Sequence, residues 1–194
     1  MEITVVGTGF IGGVLGRALA TAGHDVAFAS RHPDDDDVVG NTNAKVMSVA
    51  EAVARPGVII LALPGNAVGD VAAENQASLA GKLVIDATNK MGDAVPNARR
   101  SLPTTVRYAR AFNTMGGEDM AEPVFNNGQR ADMFFSSAEG DRATVEEVIS
   151  GVGLTPVYVG EDQEAVVDGI FQLWVALAFK QGHGRRLAVV MLKD

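Results

Sequence analysis

The apolar positions of the chain fall in short runs separated by glycines and polar turns. Ile3, Val5 and Val6 form a β-branched run that reads as a buried strand. The run breaks at Gly7, Gly9 and Gly12. Ile11, Leu15 and Leu19 then recur at helical spacing, with Gly23 placed to cap the helix end. Val26 to Ala29 predicts a second strand and Val46 with Met47 a third. Ser48 and Glu51 form an S-x-x-E capping box for a short helix that must stop before Pro56. Val58 to Leu63 is uniformly apolar, as in a central parallel strand covered on both faces. A helix starts near Ala67, and strands follow at Leu83 to Ala87, Val106 to Phe112 and Met133 to Ser137. Asp141 is expected to cap a helix whose apolar positions are Val145, Val148, Ile149 and Val152. Leu154 to Val159 contains Pro156, which places it at a sheet edge. Met115 to Arg130 is polar and glycine-bearing, and fits either a lid or a surface connection.

Strands alternating with helices predict an α/β fold: a Rossmann doubly wound, mostly parallel sheet with helices on both faces. The expected organisation is one domain over residues 1–194, with 160–194 a C-terminal helical extension. The last helix, Ala165 to Gln181, is apolar nearly all round, with Asp168, Gln172 and Lys180 as a thin polar stripe. Such a helix needs cover on several sides. The expected cover is a second subunit, in a homodimer held through Ile170, Phe171, Trp174 and Leu177.

Gly7, Gly9 and Gly12 match G-x-G-x-x-G between a strand and a helix, inside a βαβ unit. In a dinucleotide site Gly7 permits the tight turn, Gly9 lets backbone approach a pyrophosphate, and Gly12 lets helix pack on strand. The helix N-terminus adds free N–H groups and partial positive charge. A site that prefers NAD puts Asp or Glu at the end of the second strand. Ser30 and Arg31 stand there instead, a hydroxyl and a guanidinium suited to a 2′-phosphate. Asp34 to Asp37 follow as an acidic run read as a solvated loop. Leu63-Pro64, Thr88-Asn89 and Asn113-Thr114 end further strands, and ligands in open α/β sheets lie beyond the carboxyl ends of strands.

Composition narrows the partners. The 194 residues carry a net charge of −8 without a basic run, which argues against nucleic acid. The absence of Cys excludes disulfides, thiolate catalysis and Cys-ligated metals. The chain opens directly on a core strand, leaving no room for a signal peptide, and Asp168 with Gln172 interrupt its longest apolar helix. The expectation is a cytoplasmic protein without a membrane partner. His24, His32 and His183 are scattered without metal-ligand spacing. Asp86 reads as a strand-end structural residue rather than a base. Lys90 borders the strand ends as a candidate contact to substrate, and Arg185 with Arg186 fit either an acidic ligand or a solvated turn. With no acid–base or nucleophilic constellation, hydride transfer by alignment of two redox rings fits best.

Taken in order, VVGTGFIGGVLGRALATAGHDVAFASR, LALP, VIDATNK, RAFNTMG, GLTPVYVG and WVALAFKQGHGRRLAVVML resemble the NADPH-dependent deazaflavin (coenzyme F-420) reductase family. The chain is also similar to the cytosolic reductase part of the STEAP metalloreductases, where a flavin receives the hydride. The resemblance implies an oxidoreductase moving hydride between NADP(H) and a deazaflavin (coenzyme F-420), FMN or FAD. It implies that Thr8, Gly9, Phe10 and Ile11 hold the pyrophosphate and Ser30 with Arg31 the 2′-phosphate. Leu63, Pro64, Ala67 and Val68 should line the nicotinamide side, with Asn89 and Asn113 nearby. Two positions depart from the family: Lys90 stands where proline is usual, and the aspartates stand where a basic residue often follows Ser-Arg. Alternative readings are a reductase of a small imine or hydroxy acid, and an NADPH-binding regulatory module.

Overall fold

The computed structural model describes residues 1–35, 37–89 and 98–192. They form two compact units, Met1–Ala109 and Arg110–Asp194. The first contains β1 (Glu2–Val6), α1 (Phe10–Thr21), β2 (Asp25–Ser30), β3 (Lys45–Ser48), α2 (Val49–Ala54), β4 (Val58–Leu61), α3 (Val68–Glu74), α4 (Gln76–Leu79) and β5 (Leu83–Asp86). Its strands pair in parallel in the order β3-β2-β1-β4-β5. This is the Rossmann-like, doubly wound α/β arrangement that the alternation of elements predicts. β6 (Arg107–Arg110) runs across the division between the units, and the Arg107 N–H donates to the Lys82 carbonyl at 2.9 Å.

Register explains why the strands are apolar throughout. Phe28, Val5, Ile60 and Ile85 align across β2, β1, β4 and β5, and so share one face. α1 covers it: a methyl group on Gly16 would stand 2.3 Å from the Phe28 ring, so helix backbone packs directly on an aromatic side chain. Ala27, Thr4, Ile59 and Val84 align on the opposite face, as do Ala29, Val6, Leu61 and Asp86. There α2, α3 and α4 supply Ala52, Val53, Val68, Ala72 and Leu79 to one core. Thr4 and Asp86 are polar, and the Thr4 hydroxyl donates to the buried Ala52 carbonyl at 2.9 Å.

The helix ends follow local chemistry. α1 closes as a Schellman turn: Gly23 takes φ +91°, its N–H donates to Ala20, and the His24 N–H donates to Leu19. The capping box of α2 is formed, with Ser48 and Glu51 each bonding the other's backbone N–H. Two strands stop two residues short of expectation. β4 ends at Leu61 rather than Leu63, where the Ala62 carbonyl lies against Gly7. β6 spans Arg107–Arg110 rather than 106–112, because Phe112 turns the chain out of extended geometry at φ +68°.

The second unit holds α5 (Gly117–Ala121), β7 (Asp132–Ser137), α6 (Arg142–Gly151), β8 (Thr155–Tyr158) and α7 (Glu164–Val175). A π-turn, Ala176–Lys180, extends α7. β7 and β8 pair in parallel, with Pro156 opposite Met133. Residues 115–130 divide into a buried and an exposed part. Met115, Gly116, Gly117, Asp119 and Met120 are buried, and the exposed part closes as a Val124–Arg130 bridge around Asn127-Gly128. Asp141 precedes α6 but makes no side-chain cap, and it is buried.

α7 buries two of the four side chains expected at a dimer surface, Phe171 and Trp174. Val167, Phe171, Trp174 and Ala178 are buried within the chain itself, where α7 packs on β7. Phe171 and Trp174 stack with centroids 6.0 Å apart, and the indole N–H donates to the Leu187 carbonyl. Both rings are spent internally, which leaves Val166, Leu173 and Phe179 as the large exposed apolar side chains of this helical segment. Helix is confined to residues 164–180 of the expected 160–194 extension. Among the described residues, no helix is long and apolar enough to cross a membrane.

The contact between α1 and Phe28 is testable. Gly16→Ala should lower stability by about 1–3 kcal/mol through overpacking, although alanine improves helix propensity by roughly 1 kcal/mol. Urea unfolding reads the difference, and a variant as stable as the parent would show that Phe28 has room to move.

Candidate functional site

The carboxyl ends of β2, β1, β4 and β5 form one row in the first unit. Ala29, Val6, Leu61 and Asp86 stand side by side in register. The ladder continues one step further: the Gly7 N–H donates to Ala29, the Ala62 N–H to Val6, and the Ala87 N–H to Leu61. Strands lie about 4.8 Å apart, so the row from β2 to β5 spans about 14 Å.

The three glycines after β1 are needed for three different reasons. Gly7 adopts φ +114°, and a methyl group there would stand 2.3 Å from the Ala62 carbonyl oxygen. A methyl group on Gly12 would stand 2.0 Å from the Gly7 carbonyl oxygen, so α1 leaves the turn with backbone touching backbone. Gly9 differs, because nothing lies within 4 Å of where its methyl group would be. Gly7 and Gly12 are required by the fold, and Gly9 keeps a space open. That space lies at the N-terminus of α1, where Gly9 is the cap residue and no acidic side chain occupies the first turn. The amide donors and the positive end of the helix therefore meet no anion from the helix's own first turn. Phe10 is exposed beside it at 57%, with Thr8 and Ile11 half-buried.

At the β2 end, Ser30 is buried and its hydroxyl oxygen accepts from the His32 N–H at 3.1 Å. Arg31 is exposed. Of the acidic run, Asp34 and Asp37 are exposed, and Asp36 lies outside the described residues. Arg17, from α1, donates to the Val38 carbonyl at 2.9 Å and ties down the loop that follows.

The β4 end supplies Leu63, half-buried, and Pro64, exposed, before a short 3₁₀ turn at Gly65–Ala67. Ala67 is half-buried, whereas Val68 is 1% exposed and packs in the core with Ala72 and Leu79. The Val68 side chain therefore packs α3 on the sheet. At the β5 end, Asp86 is fully buried, and both its carboxylate oxygens are engaged. Oδ1 accepts from the Thr88 N–H at 2.9 Å and the Thr88 hydroxyl at 2.7 Å, and Oδ2 accepts from the Tyr108 hydroxyl at 2.6 Å. Asp86 is thus the structural residue expected of it, the anchor of the turn that delivers Asn89. Lys90 lies outside the described residues.

The remaining expected groups belong to the second unit. Asn113 and Thr114 are 0% and 2% exposed, and follow the left-handed Phe112. The Met133 sulfur receives the Phe112 N–H at 3.2 Å and the Thr114 hydroxyl at 3.4 Å. Arg185 and Arg186 are exposed, and both are engaged by acidic side chains of their own unit. Arg185 pairs with Glu118 at 2.8 Å, and Arg186 pairs with the buried Asp119 at 3.1 Å and donates to the Val124 carbonyl. Burial pushes the Asp119 carboxyl above its ordinary value against the opposing pull of Arg186 and the Leu187 N–H. Among the described residues, no three His, Asp or Glu side chains gather as metal ligands.

Sequence reasoning missed Tyr108 and Phe112. Asp86 followed two residues later by Thr88 is an Asx-turn pattern, and it announces an acceptor at the strand end. The third donor comes from a neighbouring strand and has no local signal.

Residues 2–90 match the family described as NADP oxidoreductase coenzyme F420-dependent. No curated protein matches the sequence. Among solved structures, the chain is similar to a provisionally assigned F420-dependent NADP-reductase from Arthrobacter sp. FB24, with a TM-score of 0.83 and 20% identity over 100% of both chains. It is also similar to Mycobacterium tuberculosis 3-hydroxyisobutyrate dehydrogenase, with a TM-score of 0.74 and 20% identity over 93% of this chain and 61% of that one. A third similarity is to a reductive aminase from Aspergillus terreus in complex with NADPH and ethyl levulinate. There the TM-score is 0.68 and the identity 20%, over 91% of this chain and 64% of that one. At these identities the likeness to solved structures is one of fold.

The glycine geometry separates fold from site. Gly12→Ala should destabilise the protein by about 1–3 kcal/mol, since backbone must move to admit the methyl group. Gly9→Ala should unfold within about 0.5 kcal/mol of the parent, as expected where a side chain meets no neighbour. Equal losses in the two variants on chemical denaturation would contradict this division of roles.

Proposed function

We propose that the protein is an oxidoreductase that moves a hydride between NADP(H) and a deazaflavin or flavin acceptor. One observation carries the cofactor half of this reading. A space kept open by Gly9 at a helix N-terminus adjoins a β2 end that bears Ser30 and Arg31 in place of a carboxylate. The amides of the Gly7–Gly12 turn would hold a diphosphate, and the Arg31 guanidinium a 2′-phosphate. Leu63, Pro64 and Asn89 stand further along the same row, beyond the glycine turn. The match of residues 2–90 to the family of F420-dependent NADP oxidoreductases supports the same assignment.

The acceptor half rests on the family match and on the chemistry of the row. NADP(H) supplies or receives the hydride, and the protein's work is to align and to exclude water. The ionisable group at the β5 end, Asp86, has both oxygens engaged by donors of its own unit, which suits support rather than proton transfer. A second reading, reduction of a small imine or hydroxy acid, draws on the fold shared with the aminase and the dehydrogenase. This chain spans only 64% and 61% of their lengths, so about a third of each has no counterpart here.

Two measurements test the proposal. NADPH should bind better than NADH, and Arg31→Ala should remove most of the difference. Losing a charge-assisted phosphate contact costs roughly 1.5–3 kcal/mol, about ten- to a hundredfold in Kd. Equal affinities for the two cofactors in the parent, read by titration calorimetry, would reject the assignment of Arg31. Single-turnover transfer from NADPH to deazaflavin or FMN should be flat across about pH 5.5–8.5, because no side chain titrates in the chemical step. A bell-shaped profile would favour the imine or hydroxy-acid reductase.

A further inference from the structure

We propose that Asp86, held by Tyr108 and Thr88, is a positioning residue that fixes Asn89 for the nicotinamide half of the cofactor. The inference rests on the NADP(H) reading above and extends it to residues that this reading leaves without a task. If the diphosphate lies on the Gly7–Gly12 turn and the 2′-phosphate at Arg31, the adenosine half occupies the β1–β2 side of the row. The nicotinamide riboside half must then run toward the ends of β4 and β5, where Leu63, Pro64 and Asn89 stand.

The β5 end is built around a carboxylate where the rest of its row is apolar. Asp86 shares its row with Ala29, Val6 and Leu61, and is fully buried. Placing a carboxylate there is costly unless its oxygens are well paired. The donors that engage it include the Thr88 N–H, the Thr88 hydroxyl and the Tyr108 hydroxyl, at 2.6–2.9 Å. Thr88 is 1% exposed and clamped through backbone and side chain together, so the direction in which Asn89 leaves the strand is set. Tyr108 is itself braced, with the Arg99 guanidinium 5.6 Å from the ring centroid and the core of the same face beneath. A neutral hydrophobic residue at 86 would fill the wall as well and would leave Thr88 unclamped. The carboxylate is the feature that a turn-positioning role needs and a packing role does not.

The test compares two ligands that share the adenosine half. Affinities for NADP+ and for 2′,5′-ADP, which lacks the nicotinamide riboside, are measured by calorimetry for the parent, Asp86→Asn and Tyr108→Phe. Both substitutions keep the shape of the side chain. NADP+ affinity should fall about three- to tenfold, the size of one or two hydrogen bonds, while 2′,5′-ADP binding stays within about twofold. Single-turnover transfer at saturating NADPH should slow by a similar factor. Equal weakening of both ligands would show a general structural defect and overturn the proposal, as would unchanged NADP+ affinity and transfer rate in the folded variants. Should Asp86→Asn fail to fold, Tyr108→Phe, which loses one hydroxyl from a half-buried ring, decides alone. A parent that binds neither ligand overturns the NADP(H) reading itself and is distinguishable from both results.

Discussion

The structure of the first unit depends on one close approach, that of the glycine turn to the backbone beyond β4. Gly7 presses on the Ala62 carbonyl, and Gly12 presses on the Gly7 carbonyl, with no space for a side chain at either position. This stacking of three backbone segments fixes where α1 starts relative to the sheet. It also fixes the direction of the helix amides, and it leaves Gly9 on the outside of the turn. Because β2, β1, β4 and β5 are in register, the same contact determines which residues emerge together at their ends. A dinucleotide long enough to reach across several strands would meet a prearranged series of donors.

The two faces of this sheet are solved differently. On the α1 side the packing is aromatic against glycine, Phe28 on Gly16, which brings helix and sheet unusually near. On the other side small and branched residues of α2, α3 and α4 fill the space, and two polar groups, Thr4 and Asp86, are admitted with their hydrogen bonds satisfied inside the wall. A satisfied buried polar group adds little net stability but strongly disfavours competing arrangements, because any shift would orphan it. The placement of Asp86 at the end of a strand, rather than its middle, puts that specificity where the chain must turn accurately.

In the second unit, the acidic residues of α5 answer the arginines that follow α7. Arg185 and Arg186 draw residues 185–187 against Glu118 and Asp119, and the Trp174 indole donates to the Leu187 carbonyl. The raised Asp119 carboxyl shows that burial costs that group more than its partners return. Such a pair acts as a locator more than as a source of stability. With its folded value above the ordinary one, Asp119 by itself favours the fold at low pH and less so as pH rises through that value.

Most of the first unit was legible in the sequence. Strand composition, the spacing of Gly7, Gly9 and Gly12, the Ser48–Glu51 box and the Gly23 cap are local signals, each produced by residues within a few positions of one another. They predicted the Rossmann-like alternation, the helix starts and the glycine turn at the head of α1. What needed the fold was everything decided by neighbours distant in sequence. Periodicity marked α7 as apolar but carried no record of how much cover β7 provides, so Phe171 and Trp174 read as interface when they are core. Arg185 and Arg186 read as available charges because Glu118 and Asp119 lie 67 positions away. Asp86 was visible as a strand-end carboxylate, yet its partner Tyr108 comes from a different strand. Sequence sets what each segment is; only tertiary packing sets which surfaces remain uncovered, because exposure belongs to the pair of segments that meet and to neither one alone.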